Sequence, residues 1–233
     1  MNWLWNNLDL ILELTVEHIR LSIVPIMFGF VISIPLGWLA YRFRLTRGLL
    51  LTVAGLLYTI PSLALFVILP PVFGIPFLSE LNVTIALTIY AVAIMARSMA
   101  DALGSVDTDI RQSATAVGFT SWGRFWRIEF PLAGPVILAG LRVAAVSTVS
   151  LVTVGILVGV ESLGYLFTNG FERRIVVEVV SGVVMTVIVA LLFDVLLVLL
   201  GRTLMPWTRA NSGGKQVVRM SSRTPMPASG VAS

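Results

Sequence analysis

Five stretches of nearly unbroken apolar residues divide the chain, at 21–41, 48–69, 82–100, 134–158 and 178–200. Each approaches the roughly 20 residues that a helix needs to cross hydrocarbon, so the pattern predicts five membrane spans. Pro25, Pro35, Pro61 and Pro135 fall within or beside them, where neighbouring helices and water can satisfy the carbonyls a proline frees. Ahead of the first span the periodicity changes. Leu4, Leu8, Ile11, Leu12 and Thr15 recur at helical spacing, Asp9, Glu13 and Glu17 share another face, and Trp3 and Trp5 stand in front. This predicts an external amphipathic helix over 1–18 lying in the membrane interface. It has neither the basic start nor the small-residue cleavage site of a signal peptide. From 206 to 233 the chain is rich in Ser, Gly and Pro and has no apolar face, which predicts a disordered tail after a membrane domain over 19–205.

Composition strengthens this reading. Only 12% of residues are charged, against about a quarter in soluble domains, and the mean hydropathy is +0.95. The fold class is therefore all-α and polytopic. With no cysteine and a single histidine, the sequence offers no disulfide, thiol chemistry, catalytic site or metal site, and His18 reads as an interfacial polar residue.

Charge then orients the spans. An odd number of crossings puts segments 42–47, 97–127 and 202–233 on one side, and they hold twelve of the sixteen Lys and Arg. The other side holds Arg20, Arg173 and Arg174 against seven acidic residues. The positive-inside rule places the N-terminus outside and the C-terminus in the cytoplasm. The basic balance thus reflects topology and implies no nucleic-acid partner. Arg142 and Asp194 remain, in the fourth and fifth spans; they either pair with each other or each snorkel toward the cytoplasmic headgroups.

The longest cytoplasmic connection contains QSATAVGFTSWGRFWRIEFP, residues 112–131. Asp107 or Thr108 can cap a helix that runs to Val117, and Gly118 suits the left-handed residue that ends it. Thr120 or Ser121 can cap a second helix, which Pro131 is expected to close by restricting Phe130. Trp122, Phe125, Trp126 and Glu129 share one face of that helix, suited to packing beneath the bundle at headgroup level. No phosphate-binding loop exists, because Gly213-Gly214-Lys215 lacks the upstream glycine and the following Ser or Thr.

Gln112, Ser113 and Ala114, then Gly118, then Ile128, Phe130 and Pro131 resemble the coupling motif of ABC-importer permeases, with three residues before the glycine and nine after it. VEHIRLSIVP (16–25), TIPSLALF (59–66), SVDTDIRQSATAVGFT (105–120) and FPLAGPVILAGLR (130–142) resemble the osmoprotectant importers of bacteria. The resemblance, over about 10–200, implies a type I importer permease fold in the bacterial cytoplasmic membrane, with residues 105–131 as the cytoplasmic coupling segment. It implies ATP and Mg on a separate cytoplasmic ABC ATPase, no cofactor in this chain, an external substrate-binding protein, and a second permease copy or a paralogue. The solute would be glycine betaine, carnitine, choline or proline, with another small solute such as an amino acid as the alternative and a stand-alone secondary transporter behind it. Gln112 and Ser113 stand where the family has Glu and Ala, Phe130 replaces Leu, and GVESLG (159–164) replaces a more glycine-rich external loop. Most aromatic residues read as packing; Phe66 and Tyr90, inside spans, are the first candidates for lining the path. Lipid contacts the remaining surface.

Overall fold

The computed structural model describes residues 2–208, all helix or short connection with no strand among them. The tail from 209 onward, expected to be disordered, lies outside the described residues.

A single turn, α1 (Asn2–Asn6), leads into α2 (Leu8–Arg42), 35 residues without a break. At 1.5 Å per residue α2 is about 50 Å long, well beyond a hydrocarbon core of about 30 Å. The boundary expected at residue 18 is therefore not a break in the backbone. Ile11 and Leu14 are buried with Val149, Leu163, Leu166 and Val189, so this part of the amphipathic face packs on the bundle. His18, read as interfacial, is fully buried, and its Nε2 lies 2.9 Å from the Val149 carbonyl oxygen. At that point the helix of Val149 tightens to 3-10 geometry and the Thr153 N–H turns to Ser150, leaving the Val149 carbonyl for the imidazole.

The second expected span is broken. α3 (Arg44–Thr59) and α4 (Ser62–Phe73) meet at a bend of 108°. The cause is local: Pro61 disfavours helical geometry at the residue before it, and Ile60 is extended, with ψ 127°. The Tyr90 hydroxyl donates to the Ile60 carbonyl, so a backbone group freed by the break is satisfied from the next span.

That next span is α5 (Glu80–Gly104), capped by Ser79, whose hydroxyl accepts from the Asn82 N–H. Two exposed ion pairs mark its ends: Arg20 of α2 to Glu80 at 2.7 Å, and Arg47 of α3 to Asp101 at 3.0 Å. Glu80 thus lies level with Arg20, and Asp101 level with the start of α3. The bent pair α3–α4 therefore carries the chain from one end of the bundle to the other, and counts as one of five crossings.

α6 (Thr108–Ala116) and α7 (Ser121–Arg124) follow. The helix does not end before Pro131, contrary to expectation. α7 runs through a π-helical turn (Phe125–Glu129) into α8 (Phe130–Val152) and a 3-10 turn ending at Val158. The wide turn lets the Phe130 N–H reach the Phe125 carbonyl and relieves the clash a proline ring makes with an ordinary helical turn. GVESLG folds back over the end of α8, with the Ser162 hydroxyl donating to the Val152 carbonyl. α9 (Gly164–Glu172) and α10 (Val176–Leu204) complete the chain.

α5 is the axis, packed against α2, α3 and α8, whereas α10 is the outermost span. The close contacts occur at small residues. A Cβ at Gly29 of α2 would lie 2.4 Å from Cβ of Ala91, and one at Gly140 of α8 would lie 2.4 Å from Cβ of Ser98. Gly29→Val should therefore separate α2 from α5 and destabilise the protein by about 1–3 kcal/mol, the usual cost of overpacking. A melt in detergent checks this, with a midpoint several degrees below wild type expected and an unchanged midpoint refuting the contact.

Candidate functional site

The connection between α5 and α8 is a rigid clip. The Asp107 side chain caps α6 by accepting the Asp109 N–H at 2.8 Å. The helix ends with the Phe119 N–H on the Ala114 carbonyl (3.1 Å) and the Gly118 N–H on that of Thr115 (3.0 Å). This paired closure requires a left-handed residue, and Gly118 has φ 97°. The Thr120 hydroxyl then accepts the Gly123 N–H and starts α7.

A buried carboxylate lies behind the clip. Glu129, in the π turn, is 2% exposed and takes the Arg124 Nε at 2.7 Å, with the Arg111 Nε at 3.9 Å. Arg124 also donates to the Thr115 hydroxyl, tying α7 to α6. Arg111 reaches the other way: its Nη2 donates to the Leu103 and Val106 carbonyls at the end of α5, and its guanidinium lies 4.9 Å from the Tyr41 ring centre. Phe125, nearly fully buried, holds the second helix against Trp38 of α2 and gathers Trp122, Trp126 and Phe130 around it. α6 is therefore joined by polar contacts to α5 and to the helix that becomes α8. Displacing it displaces both.

Of the residues singled out in sequence, Ala114 is buried toward the bundle, whereas Gln112, Ser113 and Gly118 are exposed on the outer side. Ile128, Phe130 and Pro131 are half-buried in the π turn and the first turn of α8. Around the Gly118 turn a groove of about 570 Å³ is bordered by Val117, Phe119, Trp122 and Trp126, and the Val117 side chain is largely exposed. Sequence reasoning did not assign Arg111, Arg124 and Tyr41 to this assembly. Glu129 shared a face with Phe125 at i+4 spacing, the one available signal, but nothing in spacing marked it as buried.

Arg142 and Asp194 do meet, in a two-point ion pair at 2.6 and 2.8 Å between α8 and α10. Both remain partly exposed at membrane depth. Phe66 and Tyr90 part company. Phe66 is enclosed in the core, its carbonyl accepting from the fully buried Asn82. Tyr90 borders a cleft of about 520 Å³ at the break between α3 and α4.

Residues 29–210 match the family of binding-protein-dependent transport system inner membrane components. The chain is 29% identical to the osmoprotectant import permease protein of Salmonella typhimurium, over 84% of this chain and 93% of the relative. It is 31% identical to a carnitine transport permease protein of Listeria monocytogenes, over 82% of this chain and 84% of the relative. Among solved structures it superposes on a methionine ABC transporter in an inward-facing conformation with a TM-score of 0.77. That match has 22% identity and covers 85% of this chain and 98% of the other.

Two outcomes follow from this geometry. Glu129→Ala leaves two arginines facing an empty buried site and should cost about 3–5 kcal/mol, the loss typical of breaking a buried pair. Hydrogen exchange should then quicken across 108–129, and unchanged protection there would refute the clasp. For Arg142 and Asp194, the double change to Ala should destabilise less than the sum of the two single changes in a detergent melt, whereas strict additivity would mean the pair contributes nothing.

Proposed function

This chain belongs to the family of binding-protein-dependent transport system inner membrane components, and on that premise we propose that it is the permease through which an osmoprotectant enters the cell. The solute is glycine betaine, carnitine, choline or proline, delivered by an external binding protein. Two relatives, alike over most of both chains, are named for an osmoprotectant and for carnitine, which supports this solute class over an amino acid. Membership of a binding-protein-dependent family displaces the stand-alone secondary transporter.

ATP and Mg are handled by a separate cytoplasmic ATPase, and the pore is completed by a second copy of this permease or a paralogue. The N-terminus faces outward and the C-terminus inward, which puts α6, α7 and the groove at Gly118 on the cytoplasmic side. α6 is the coupling helix, presenting Gln112, Ser113 and Val117 to the ATPase, with Ile128, Phe130 and Pro131 forming the start of the span that it drives. The observation that carries this role is the two-sided attachment of α6, to α5 through Arg111 and to α7 and the π turn through Arg124 and Glu129. A rigid element joined to two spans can convert movement of a docked partner into a change of the path between them.

The test is reconstitution. The permease purified with its ATPase and supplied with its binding protein should take up glycine betaine into liposomes only when ATP is present. Uptake without ATP, or no association with an ATPase, would overturn the reading. Gly118→Val should still insert and assemble, yet transport poorly, because a β-branched residue in left-handed geometry costs about 1–3 kcal/mol. Wild-type uptake in that variant would show that the turn is not needed for coupling.

A further inference from the structure

The cleft at the broken span lies midway along the bundle. Tyr90 on its wall is about 15 Å along α5 from Glu80 and about 16 Å from Asp101, at 1.5 Å per residue. Those two acids mark opposite ends of the bundle, each paired to an arginine. The walls are not those of a lipid-facing surface. Tyr58, Ser62, Ser147 and Ser150 border the cleft, and their hydroxyls have no hydrogen-bond partner among the described residues. Free hydroxyls at this depth face water, solute or another chain in preference to hydrocarbon.

The cleft also has an aromatic corner. The Tyr58 side chain is half exposed, and its ring stands at 84° to that of Tyr90, with centroids 6.1 Å apart. Tyr90 is held in place by its hydroxyl on the Ile60 carbonyl. Beside Tyr58, α3 ends, and the carbonyl end of a helix carries partial negative charge. The nearest cation along the α8 face is Arg142, one turn from Val146, and it is neutralised by Asp194. A wall that combines an open aromatic face, a negative helix end and hydroxyls, with no unpaired positive charge, suits a methylated ammonium group.

We propose that this cleft is a transit site for the quaternary ammonium head of the solute, with the Tyr58 ring as its principal contact and Tyr90 holding that ring's surroundings in place. The proposal rests on the osmoprotectant reading above and extends it from the class of solute to a site within the membrane.

The absence of cysteine gives a direct test, since one introduced thiol is the only thiol in the chain. Ser147→Cys and Ser150→Cys, each in the full complex with ATPase and binding protein in liposomes, are exposed to a charged, membrane-impermeant thiol reagent. The two positions guard against one variant failing to assemble. Labelling should proceed, and choline should slow it, whereas its uncharged isostere 3,3-dimethyl-1-butanol should not. Adding Tyr58→Phe should preserve protection. Tyr58→Leu should raise the protecting choline concentration by about threefold to tenfold, the worth of one cation–π contact. No labelling, or equal protection by choline and its isostere, would overturn the site. Uptake by the unsubstituted complex separates the two levels. If it carries a quaternary ammonium solute while choline protects nothing, the transit site alone falls. If it carries none, the solute assignment falls with it.

Discussion

Lipid tails are as apolar as leucine, so water does not press the spans of this protein together once they are in the membrane. What holds them is close contact, and close contact needs small residues. The bundle is organised around that constraint. α5 alternates alanines with larger apolar residues, and Gly29 and Gly140 let α2 and α8 come in until a single added carbon would overlap Ala91 or Ser98. With α5 thus embedded between two long helices, steric fit fixes its position. The exposed ion pairs of Arg20 and Arg47 mark its two ends and add little to holding them. The bent span and α8 then pack directly on α5.

Where the backbone leaves regular geometry, another part of the chain supplies the missing partner. Tyr90 meets the carbonyl at the Pro61 break, His18 meets the one released where α8 tightens, and Asn82 bridges to the carbonyls of Phe66 and Phe77. At the end of the bundle that carries α6, Arg111 does the same for the end of α5 while facing Glu129. These contacts explain how irregular segments persist in a medium that offers no water to rescue them. They also explain how the clip carrying α6 is held: Arg111, Arg124 and Glu129 turn inward to the bundle, while Gln112, Ser113 and Val117 lie exposed on its outer side.

Much of this was legible in the residues. The apolar runs located four of the five spans directly. Asp107, Gly118 and Thr120 marked the ends of α6 and α7, because caps and left-handed turns depend on a residue and its nearest neighbours alone. The break at Pro61 was also written locally, in the restriction a proline places on the residue before it, yet a long apolar run concealed it. Pro131 misled in the opposite direction, since a π turn accommodates a proline that an ordinary helical turn would reject. Glu129 showed its helical face but not its depth.

By itself, then, the sequence determined the membrane class, the number of crossings and the helix–glycine–helix form of the segment between α5 and α8. All of these follow from composition and from interactions spanning four or five residues. The tertiary structure decided that α2 is one helix from Leu8, that Arg142 meets Asp194 across 52 positions of sequence, that Phe66 is enclosed while Tyr90 borders a cleft, and that His18 is internal. Each of these depends on which faces of distant helices meet. That is set by steric fit among small residues spread over the whole bundle, and no local pattern records it.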